Sequence, residues 1–529
     1  MNWAHWIIVP VVLPLVSGAA LLLIERSRPA LAARLSLLAT AAHLLVAIGL
    51  AAQAADGTVR AYLLGNWSAP FGIALALDRL SALLLVLTGV IALAAVAYAV
   101  AGDAKTRIDK LGPHFHALFQ FQLMGLAGAF LTADLFNLFV FFEVLLIASY
   151  GLLLHAGGAA RLRAAIHYVS FNLTGSALFL IAVSALYGIT GTLNMADLAQ
   201  RVAQLPPESA SLARSAGLLL LVVFCVKAAL LPLYFWLPTT YSAATAPVAA
   251  LFAIMTKVGV YAVARMFTLA FGADGGVAAD LAQPWLPIVG LGTIALAAVG
   301  ALAARDMRGM IGYLVIASAG TLLMALGLGS RETVAAALFY LVNSTLVVAV
   351  LYLLADRIGA QRGEHGDLLA PGPFGSERSL LGAAYFVAAI AVCGLPPLAG
   401  FLGKSLLLAA ARDTAYAAWV WAIVLASGLA IIISLVRAGS RIFWKPYEPP
   451  APATAIATSS VQVMALGWLF AALLLNTAAA GPLARFTGAA AQQLFERRPY
   501  IDAVLGARPV PAALPIREIL GGKPGKDKP

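Results

Sequence analysis

Residues 224–265 read FCVKAALLPLYFWLPTTYSAATAPVAALFAIMTKVGVYAVAR. This segment is apolar over enough length to cross a bilayer about twice, because about 20 residues of helix span the hydrocarbon core. Two prolines, Pro232 and Pro238, interrupt its first half, and two lysines, Lys227 and Lys257, lie inside otherwise apolar sequence. Proline-broken apolar helices with charges in their interior are typical of membrane proteins that move ions.

The rest of the chain has the same apolar character. Of its 529 residues, 62% are hydrophobic and 11% are charged, whereas soluble domains contain roughly 45–50% apolar and 25% charged residues. A soluble globular protein is therefore excluded. Both cysteines lie in apolar runs without a CxxC or Cys/His motif, so we expect no iron–sulfur, haem, zinc or other cofactor. The net charge of +11 is spread over short loops and does not predict a nucleic-acid partner.

Fourteen apolar runs are long enough to predict transmembrane helices, so the expected fold is an all-α polytopic membrane protein. No Lys or Arg precedes the first run, and we expect it to remain as an anchor with the N-terminus outside. The predicted spans cover approximately residues 4–24, 31–53, 77–101, 114–132, 135–155, 165–188, 214–237, 243–270, 285–304, 309–329, 333–355, 379–411, 415–438 and 458–480.

The distribution of basic residues predicts the orientation of these spans. One set of alternate connections contains 16 Lys and Arg residues and the other contains 7. Short cytoplasmic loops are enriched in Lys and Arg. We therefore expect the loops around Arg161 and Arg305 to face the cytoplasm, and those around Arg201 and Arg331 to face outside.

This orientation places the C-terminus outside, although the tail after residue 482 carries eight further basic residues. The rule weakens with distance from the last span, so the orientation stands. We expect residues 483–504 to form an amphipathic surface helix and the chain from residue 507 to be disordered.

Proline breaks in the seventh and twelfth predicted spans indicate an internal repeat. The seventh contains Pro232 and Pro238, and the twelfth contains Pro396 and Pro397 in GLPPLAGFLGK. Corresponding broken helices in two halves are a signature of inverted repeats in transporters, although incidental proline kinks would look the same. The predicted units are N-terminal helices 1–3 in 1–101, two inverted five-helix repeats in 114–270 and 285–438, a last helix in 458–480, and an amphipathic segment with a polar tail in 483–529.

Four ionisable residues lie inside predicted spans: Glu143, Lys227, Lys257 and Lys404. Each costs about 2.5–3.5 kcal/mol at the bilayer centre, so together they oppose insertion by on the order of 10 kcal/mol. Glu143 and Lys227 are predicted to form either a switchable ion pair or a static structural pair. Lys257 has no acidic residue in its own span. Lys404 either lies on the ion path or snorkels to the surface with Arg412.

Other polar residues near the ends of spans have simpler interpretations. Asp78 and Asp134 begin predicted helices, where an aspartate usually accepts hydrogen bonds from free backbone N–H groups. We therefore expect both to be N-caps. Four histidines near cytoplasmic ends are either solvated or feed protons to the path, since histidine titrates near neutral pH: His114, His116, His155 and His167.

Several segments resemble a known family. They are DLFNLFVFFEVLLIASYGLLL (134–154), FNLTGSALFLIAVSALYGITGTLNMADLA (171–199), the segment 224–265 and GLPPLAGFLGKSLLL (394–408). Together they resemble the D subunit of Mrp-type multisubunit monovalent cation/proton antiporters. That protein belongs to a wider group that includes antiporter-like subunits of respiratory complex I and membrane-bound hydrogenases. The Glu/Lys/Lys/Lys pattern is common to the group, whereas YGITGTLNMADLA and LPTTYSAATAPVAALFA favour the Mrp member.

The resemblance implies roles for the four buried charges. Glu143 and Lys227 would be the coupling pair, Lys257 the central lysine and Lys404 the exit-side lysine of a hydrated proton path in a fourteen-helix fold. Relatives commonly carry histidine on the eleventh span, where this chain has Asn343. We expect water held by neighbouring polar side chains to bridge that position: Tyr340, Asn343, Ser344 and Thr345.

Three functions are compatible with these features. The first is a proton-translocating subunit of an antiporter that exchanges external protons for internal Na⁺ or K⁺. The second is a proton-pumping subunit of a complex I-like NADH–quinone oxidoreductase or a membrane-bound hydrogenase, and the third is a scaffold. The Mrp-like segments favour the first, and four buried charges argue against the third. The antiporter function implies a secondary transporter, not an enzyme, in a bacterial-type inner membrane, surrounded by lipid and partnered by other membrane subunits.

The cation route is expected to lie elsewhere in the complex or to be shared with another subunit. No cluster of carboxylates suited to dehydrating sodium is visible within the spans. We therefore expect this chain alone to be inert in transport.

Overall fold

The computed structural model describes residues 3–101, 108, 112–444 and 458–509. Within these residues, eleven helices are long and apolar enough to cross a membrane. Shorter apolar helices occupy the first, fourth and twelfth predicted spans. Every predicted apolar run thus contains helix, which confirms the all-α polytopic fold class.

The helices are numbered here in chain order. Helices α1 to α7 are Val9–Ile24, Pro29–Ala54, Arg79–Val100, Phe115–Leu131, Leu135–Leu154, Ala159–Thr190 and Met195–Ala203. Helices α8 to α13 are Ala210–Ala228, Trp236–Ala243, Ala246–Phe252, Met255–Leu269, Leu286–Ala303 and Met307–Gly327. Helices α14 to α20 are Arg331–Arg362, Arg378–Cys393, Ala399–Ala410, Ala417–Gly439, Ser460–Ala478, Ala480–Phe495 and Arg497–Leu505. Strands β1 (Arg60–Leu63) and β2 (Ala74–Leu77) pair antiparallel, with Arg60 opposite Leu77.

The most deeply buried helices lie at the centre of the bundle. The whole apolar window of α10 and α11 is buried, as is 94% of the window of α14, against 39% for α6 and 33% for α17. A helix that is apolar on all sides can be buried on all sides. Polar side chains within these buried windows, such as Lys257 on α11, are therefore held away from lipid.

The two aspartates that were predicted to begin helices are N-caps. Asp78 Oδ1 accepts a hydrogen bond from Ser81 N at 2.9 Å, and Ser81 Oγ accepts one from Asp78 N at 2.9 Å. Asp134 Oδ1 accepts from Asn137 N at 2.8 Å. Each cap satisfies a backbone donor that the helix itself cannot pair.

Breaks are present in the seventh and twelfth predicted spans. Helix α8 ends before Ala229, whose φ is +60°, and helix α15 ends before Gly394, whose φ is +71°. The left-handed conformation turns the chain out of the helix at both points. Pro232, Pro396 and Pro397 lie in the segments that follow, before α9 and α16 begin.

Pro238 differs from the prediction, because it lies in the first turn of α9 (Trp236–Ala243) and not in the break. Proline is tolerated in a first turn, where the backbone N–H has no partner within the helix. The structure also contains a break that the sequence did not predict. Helix α10 ends at Phe252 and α11 begins at Met255, two residues before Lys257.

Neighbouring helices satisfy the backbone groups that the two breaks set free. Leu231 N donates to Thr293 Oγ1 at 3.0 Å, and Ala399 N donates to Thr477 Oγ1 at 3.0 Å. Trp236 Nε1 donates to the carbonyl of Val226 at 3.2 Å. Unpaired backbone groups are costly in the hydrocarbon region, so these side chains make the broken helices compatible with the membrane.

The predicted amphipathic segment consists of two helices, α19 and α20, which pack across the end of the bundle. Gln493 Nε2 donates to the Gly57 carbonyl at 2.9 Å, and Arg497 pairs with Asp274 at 3.0 Å. These contacts place the segment at the same end as the connections predicted to face outside. The remainder of the tail, from residue 510, lies outside the described residues.

Single cysteines will test the orientation of the whole bundle. In a background lacking Cys225 and Cys393, we expect a cysteine near Arg201 or Arg331 to react with an impermeant thiol reagent applied to intact cells. A cysteine near Arg161 or Arg305 should react only after permeabilisation, because these basic loops face the cytoplasm. Labelling of the Arg161 loop from outside would invert the topology.

Candidate functional site

Glu143 on α5 and Lys227 on α8 are joined through a serine on α6. Ser176 Oγ donates a hydrogen bond to Glu143 Oε1, and Lys227 Nζ donates to Ser176 Oγ at 3.3 Å. Lys227 also donates to the carbonyl and side-chain oxygens of Asn172, at 3.3 and 3.4 Å. Among the described residues, no ion pair joins the Lys227 ammonium to the Glu143 carboxylate, since their nitrogen–oxygen distance exceeds 4.0 Å. The structure therefore brings the predicted partners together indirectly.

The serine bridge follows from spacing on α6. Asn172 and Ser176 are four residues apart and lie on one face of the helix, and both are buried, as is Lys227 with an exposed fraction of 5%. Gly175, next to Ser176, packs against the lysine side chain, and a Cβ there would lie in ordinary van der Waals contact, 3.8 Å from Lys227 Nζ. The motif FNLTGS (171–176) shows these two polar residues in the sequence, but the sequence does not show which helix they face.

Replacing Ser176 by alanine is expected to lower proton-coupled transport at least tenfold, because each of the two hydrogen bonds lost involves a charged group and contributes about 1.5–3 kcal/mol, and roughly 1.4 kcal/mol corresponds to a tenfold change. Ser176→Thr should keep most activity. The matched control is Ser211→Ala, an exposed serine at the start of α8. Cation-driven proton movement in everted vesicles measures the effect, and equal activity of Ser176→Ala and Ser211→Ala would contradict the bridge.

Lys257 lies at the start of α11 and contacts hydroxyl groups. Its Nζ donates to Ser318 Oγ on α13 at 3.1 Å and to Thr256 Oγ1 at 3.3 Å. Ser318 Oγ in turn donates to Ser344 Oγ on α14 at 2.9 Å. Lys257 is 1% exposed. These contacts link the central lysine to the eleventh predicted span.

A small cavity connects that span with Lys404. The Tyr340 hydroxyl interacts with the side chains of Ser318 and Thr321. Tyr340, Thr321 and Lys404 line a cavity of about 30 Å³, together with Ser427. A cavity of this size admits one or two water molecules, since one needs roughly 10–15 Å³. Water is thus the expected link between Tyr340 and Lys404.

Lys404 folds back towards the break in its own span. Its Nζ donates to the carbonyl of Cys393 at 2.7 Å and to that of Val392 at 3.4 Å. A cation is favourable at the C-terminal end of a helix, here α15, where carbonyl groups lack partners. These carbonyls hold the Lys404 ammonium at the end of α15, which favours a place on the ion path over snorkelling to the surface with Arg412.

The four predicted water-holding residues divide into two pairs. Ser344 and Tyr340 belong to the hydroxyl chain and to the cavity wall. Asn343 Nδ2 instead donates to the carbonyl of Ala391 at 3.1 Å, and Thr345 Oγ1 donates to the Leu341 carbonyl at 2.6 Å. Asn343 therefore satisfies a carbonyl of the broken helix α15.

A buried ion pair lies at the other end of α11. Arg265 Nη2 contacts Asp78 Oδ2 at 2.5 Å, and the two side chains are 4% and 2% exposed. The guanidinium lies 4.7 Å from the ring centre of Tyr500 on α20 and 5.5 Å from that of Tyr261. The sequence analysis assigned Asp78 only as a cap and did not single out Arg265. Asp78 performs both tasks, one with each carboxylate oxygen.

A second cavity, of about 420 Å³, lies at the opposite end of the bundle, beside the Arg161 loop. In its wall, Asp356 accepts hydrogen bonds from Tyr98 Oη at 2.8 Å and from Arg308 Nη2 at 2.9 Å. Thr245, which lies between α9 and α10, also lines it, and its buried hydroxyl has no partner among the described residues. The volume and the polar wall suit a water-filled space.

The bundle of membrane helices contains two broken spans and buried lysines held by hydroxyl and carbonyl oxygens. These features are typical of multi-pass membrane proteins that move ions. The chain belongs to the NADH:quinone oxidoreductase/Mrp antiporter transmembrane family, whose profile matches residues 132–433.

Comparisons with individual proteins agree with this family. The chain is 42% identical to the D subunit of a probable K⁺/H⁺ antiporter of Rhizobium meliloti, over 95% of this chain and 98% of that protein. It is 34% identical to the D subunit of the Na⁺/H⁺ antiporter of Bacillus subtilis, over 95% and 99%. A chain of the Mrp complex from Dietzia superposes with a TM-score of 0.83 at 26% identity, over 96% and 100%. A chain of Thermus thermophilus respiratory complex I superposes with a TM-score of 0.75 at 26% identity, over 95% and 100%.

Proposed function

We propose that this chain is the proton-translocating membrane subunit of a multisubunit antiporter that exchanges external protons for internal Na⁺ or K⁺. The observation that carries the proposal is the presence of two buried polar groups, Glu143–Ser176–Lys227 and Lys257–Ser318–Ser344, with Lys404 beside a small cavity that Tyr340 also lines. Relatives that are 34% and 42% identical are named as D subunits of cation/proton antiporters, whereas the Mrp and complex I chains are both 26% identical and do not discriminate. The antiporter function is therefore better supported than the redox-linked one, and it makes the chain a transporter subunit without an enzyme reaction.

Each lysine is placed to exchange a proton with its neighbours. Burial without a carboxylate partner makes the charged ammonium costly, so a small change in nearby charge shifts each lysine between its two protonation states. Hydroxyl groups such as those of Ser318 and Ser344 both donate and accept hydrogen bonds, which lets them relay a proton. The two inverted five-helix units, residues 114–270 and 285–438, would each carry part of this series.

Glu143 links the series to a neighbouring subunit. Its side chain is only half-buried, and the adjacent outward face of α6 exposes His167, Ser170 and Thr174. Polar side chains at membrane depth rarely face lipid. Another membrane subunit would therefore cover this face, and a charge arriving there would act on Lys227 through Glu143 and Ser176.

The cavity beside Arg308 and Asp356 would be the cytoplasmic port. Helix α14 connects this cavity with the region of Lys257. Ser344 lies near the lysine, and Tyr352 and then Asp356, in the cavity wall, follow along the helix. The Tyr352 ring lies 6.3 Å from that of Tyr241, between the cavity and the lysine. These rings would keep the port and the central lysine apart until water enters between them.

Reconstitution tests the proposal. The complete antiporter in liposomes should acidify or alkalinise the lumen when Na⁺ or K⁺ is added, as followed by a pH-sensitive dye, and the purified chain alone should not. Complexes with Glu143→Ala or Lys227→Ala should not exchange ions, because each variant removes one member of the coupled pair. The amount of assembled complex is measured in parallel, since the remaining charge is left without its partner. The control is Arg34→Gln, an exposed arginine on α2.

Two results would overturn the proposal in different ways. Normal exchange by the Glu143→Ala complex would remove the coupling role of this chain. Robust cation-dependent proton exchange by the isolated chain would remove the need for partners and would place a cation site within these helices.

A further inference from the structure

A groove of about 500 Å³ lies on the side of the bundle, away from the lysine series. One wall is the first two turns of α15, including Ala383 and Phe386, and the other is Phe443 and Trp444. The latter two end a π-helical turn, Ser440–Trp444, that follows α17. Phe386 and Trp444 are 55% and 58% exposed. The groove is thus open to the surroundings and mostly apolar.

Arg378 lies at the end of this groove. Its Nε donates to the carbonyl of Phe443 at 2.8 Å, and its Nη2 donates to the same oxygen. A guanidinium has five N–H donors in a rigid fork, so among the described residues three donors remain for another acceptor. The Ser379 hydroxyl, also on the groove wall, is exposed beside it. The end of the groove therefore offers a fixed positive charge and several donors.

The aromatic wall is rigid. The Phe443 ring packs on Phe374 and Tyr385, with ring centres 5.4 and 5.6 Å apart. Gly382 on α15 lets the ring lie against the helix, since a Cβ there would come within 3.3 Å of it. A wall held from several sides does not collapse into the groove, so the groove exists before anything binds.

We propose that this groove binds an anionic phospholipid, with the phosphate on Arg378 and one acyl chain along Ala383 and Phe386. Basic pockets between membrane helices on the cytoplasmic side attract acidic headgroups, and Arg437 and Arg441 add positive charge at the same end of α17. Tryptophan at the end of a span marks the level of the headgroups. The apolar length of the groove continues from there into the membrane, which suits a lipid better than a free anion.

Trp444 provides a probe for the bound lipid. Acyl chains carrying bromine quench tryptophan fluorescence at contact, and the share due to Trp444 is the difference between the assembled wild-type complex and its Trp444→Phe variant. We expect this share to respond to brominated phosphatidylglycerol at lower concentration than to brominated phosphatidylcholine. Arg378→Gln should raise the phosphatidylglycerol concentration needed about fivefold, as expected for one arginine at a lipid surface.

A second variant keeps the test decisive if Arg378→Gln fails to assemble. Ala383→Phe fills the groove without changing charge and should abolish the Trp444-dependent quenching by either lipid. Arg163→Gln, an exposed arginine outside the groove, should leave the quenching unchanged.

Equal response to both lipids in wild type, or unchanged quenching in both groove variants, would overturn the proposal. Displacement by inorganic phosphate with no lipid preference would show a free-anion site, and absence of Trp444-dependent quenching would show that protein covers the groove; either result would overturn it as well.

Discussion

Replacing Lys257 by alanine is expected to abolish proton-coupled cation exchange by the assembled antiporter while leaving the complex in the membrane. In the proposed path Lys257 is the central proton-exchanging group, and Ser318 and Ser344 would not supply a proton without it. Its ammonium has no carboxylate partner among its described contacts, so its removal leaves no charge stranded and should not prevent folding. Antiport in everted vesicles, with the amount of assembled complex measured in parallel, gives the result.

Lys257→Arg separates proton exchange from a structural role. Arginine keeps the positive charge but does not release its proton, because its pKa lies far above the physiological pH range. We therefore expect this variant to assemble and to be as inactive as Lys257→Ala. Near-normal exchange by Lys257→Ala would rule out the relay, and recovery by arginine would show that only a fixed charge is needed.

Replacing Arg265 by leucine is expected to destabilise the protein by about 3–5 kcal/mol, because the buried Asp78 carboxylate loses its partner. Asp78→Asn combined with Arg265→Leu should recover much of this loss, since no charge is then left unpaired. Asparagine still caps helices well, so the start of α3 is preserved. The thermal midpoint of the detergent-solubilised protein, followed by size-exclusion chromatography, measures both variants.

The exposed pair Arg60–Asp56 is the matched control for this effect. Its atoms are also 2.5 Å apart, but the side chains are 32% and 49% exposed. Water screens such a pair, so Arg60→Leu should change the midpoint little. A similar loss in Arg60→Leu and Arg265→Leu, or no recovery in the double variant, would contradict the assignment of a buried charge pair.

Local sequence was enough to predict the helices and the charges inside them. Each apolar run contains helix because a spanning segment must satisfy its own backbone hydrogen bonds, which needs no information from elsewhere in the chain. The breaks near Pro232 and Pro396 followed from the geometry of proline, and the caps at Asp78 and Asp134 from hydrogen bonding within four residues. The unpredicted break before Lys257 carries no proline, and so no local signal identified it.

The sequence by itself determined which side chains are charged, which spans contain them and where proline ends a helix. Only the tertiary structure decided which groups meet: Ser176 between Glu143 and Lys227, Ser318 beside Lys257, and the α15 carbonyls around Lys404. The same holds for Arg265, which is separated from Asp78 by 187 positions along the chain. The physical reason is that membrane helices are apolar on nearly every face, so hydropathy does not show which faces pack together. That choice depends on the fit of side chains between helices far apart in sequence.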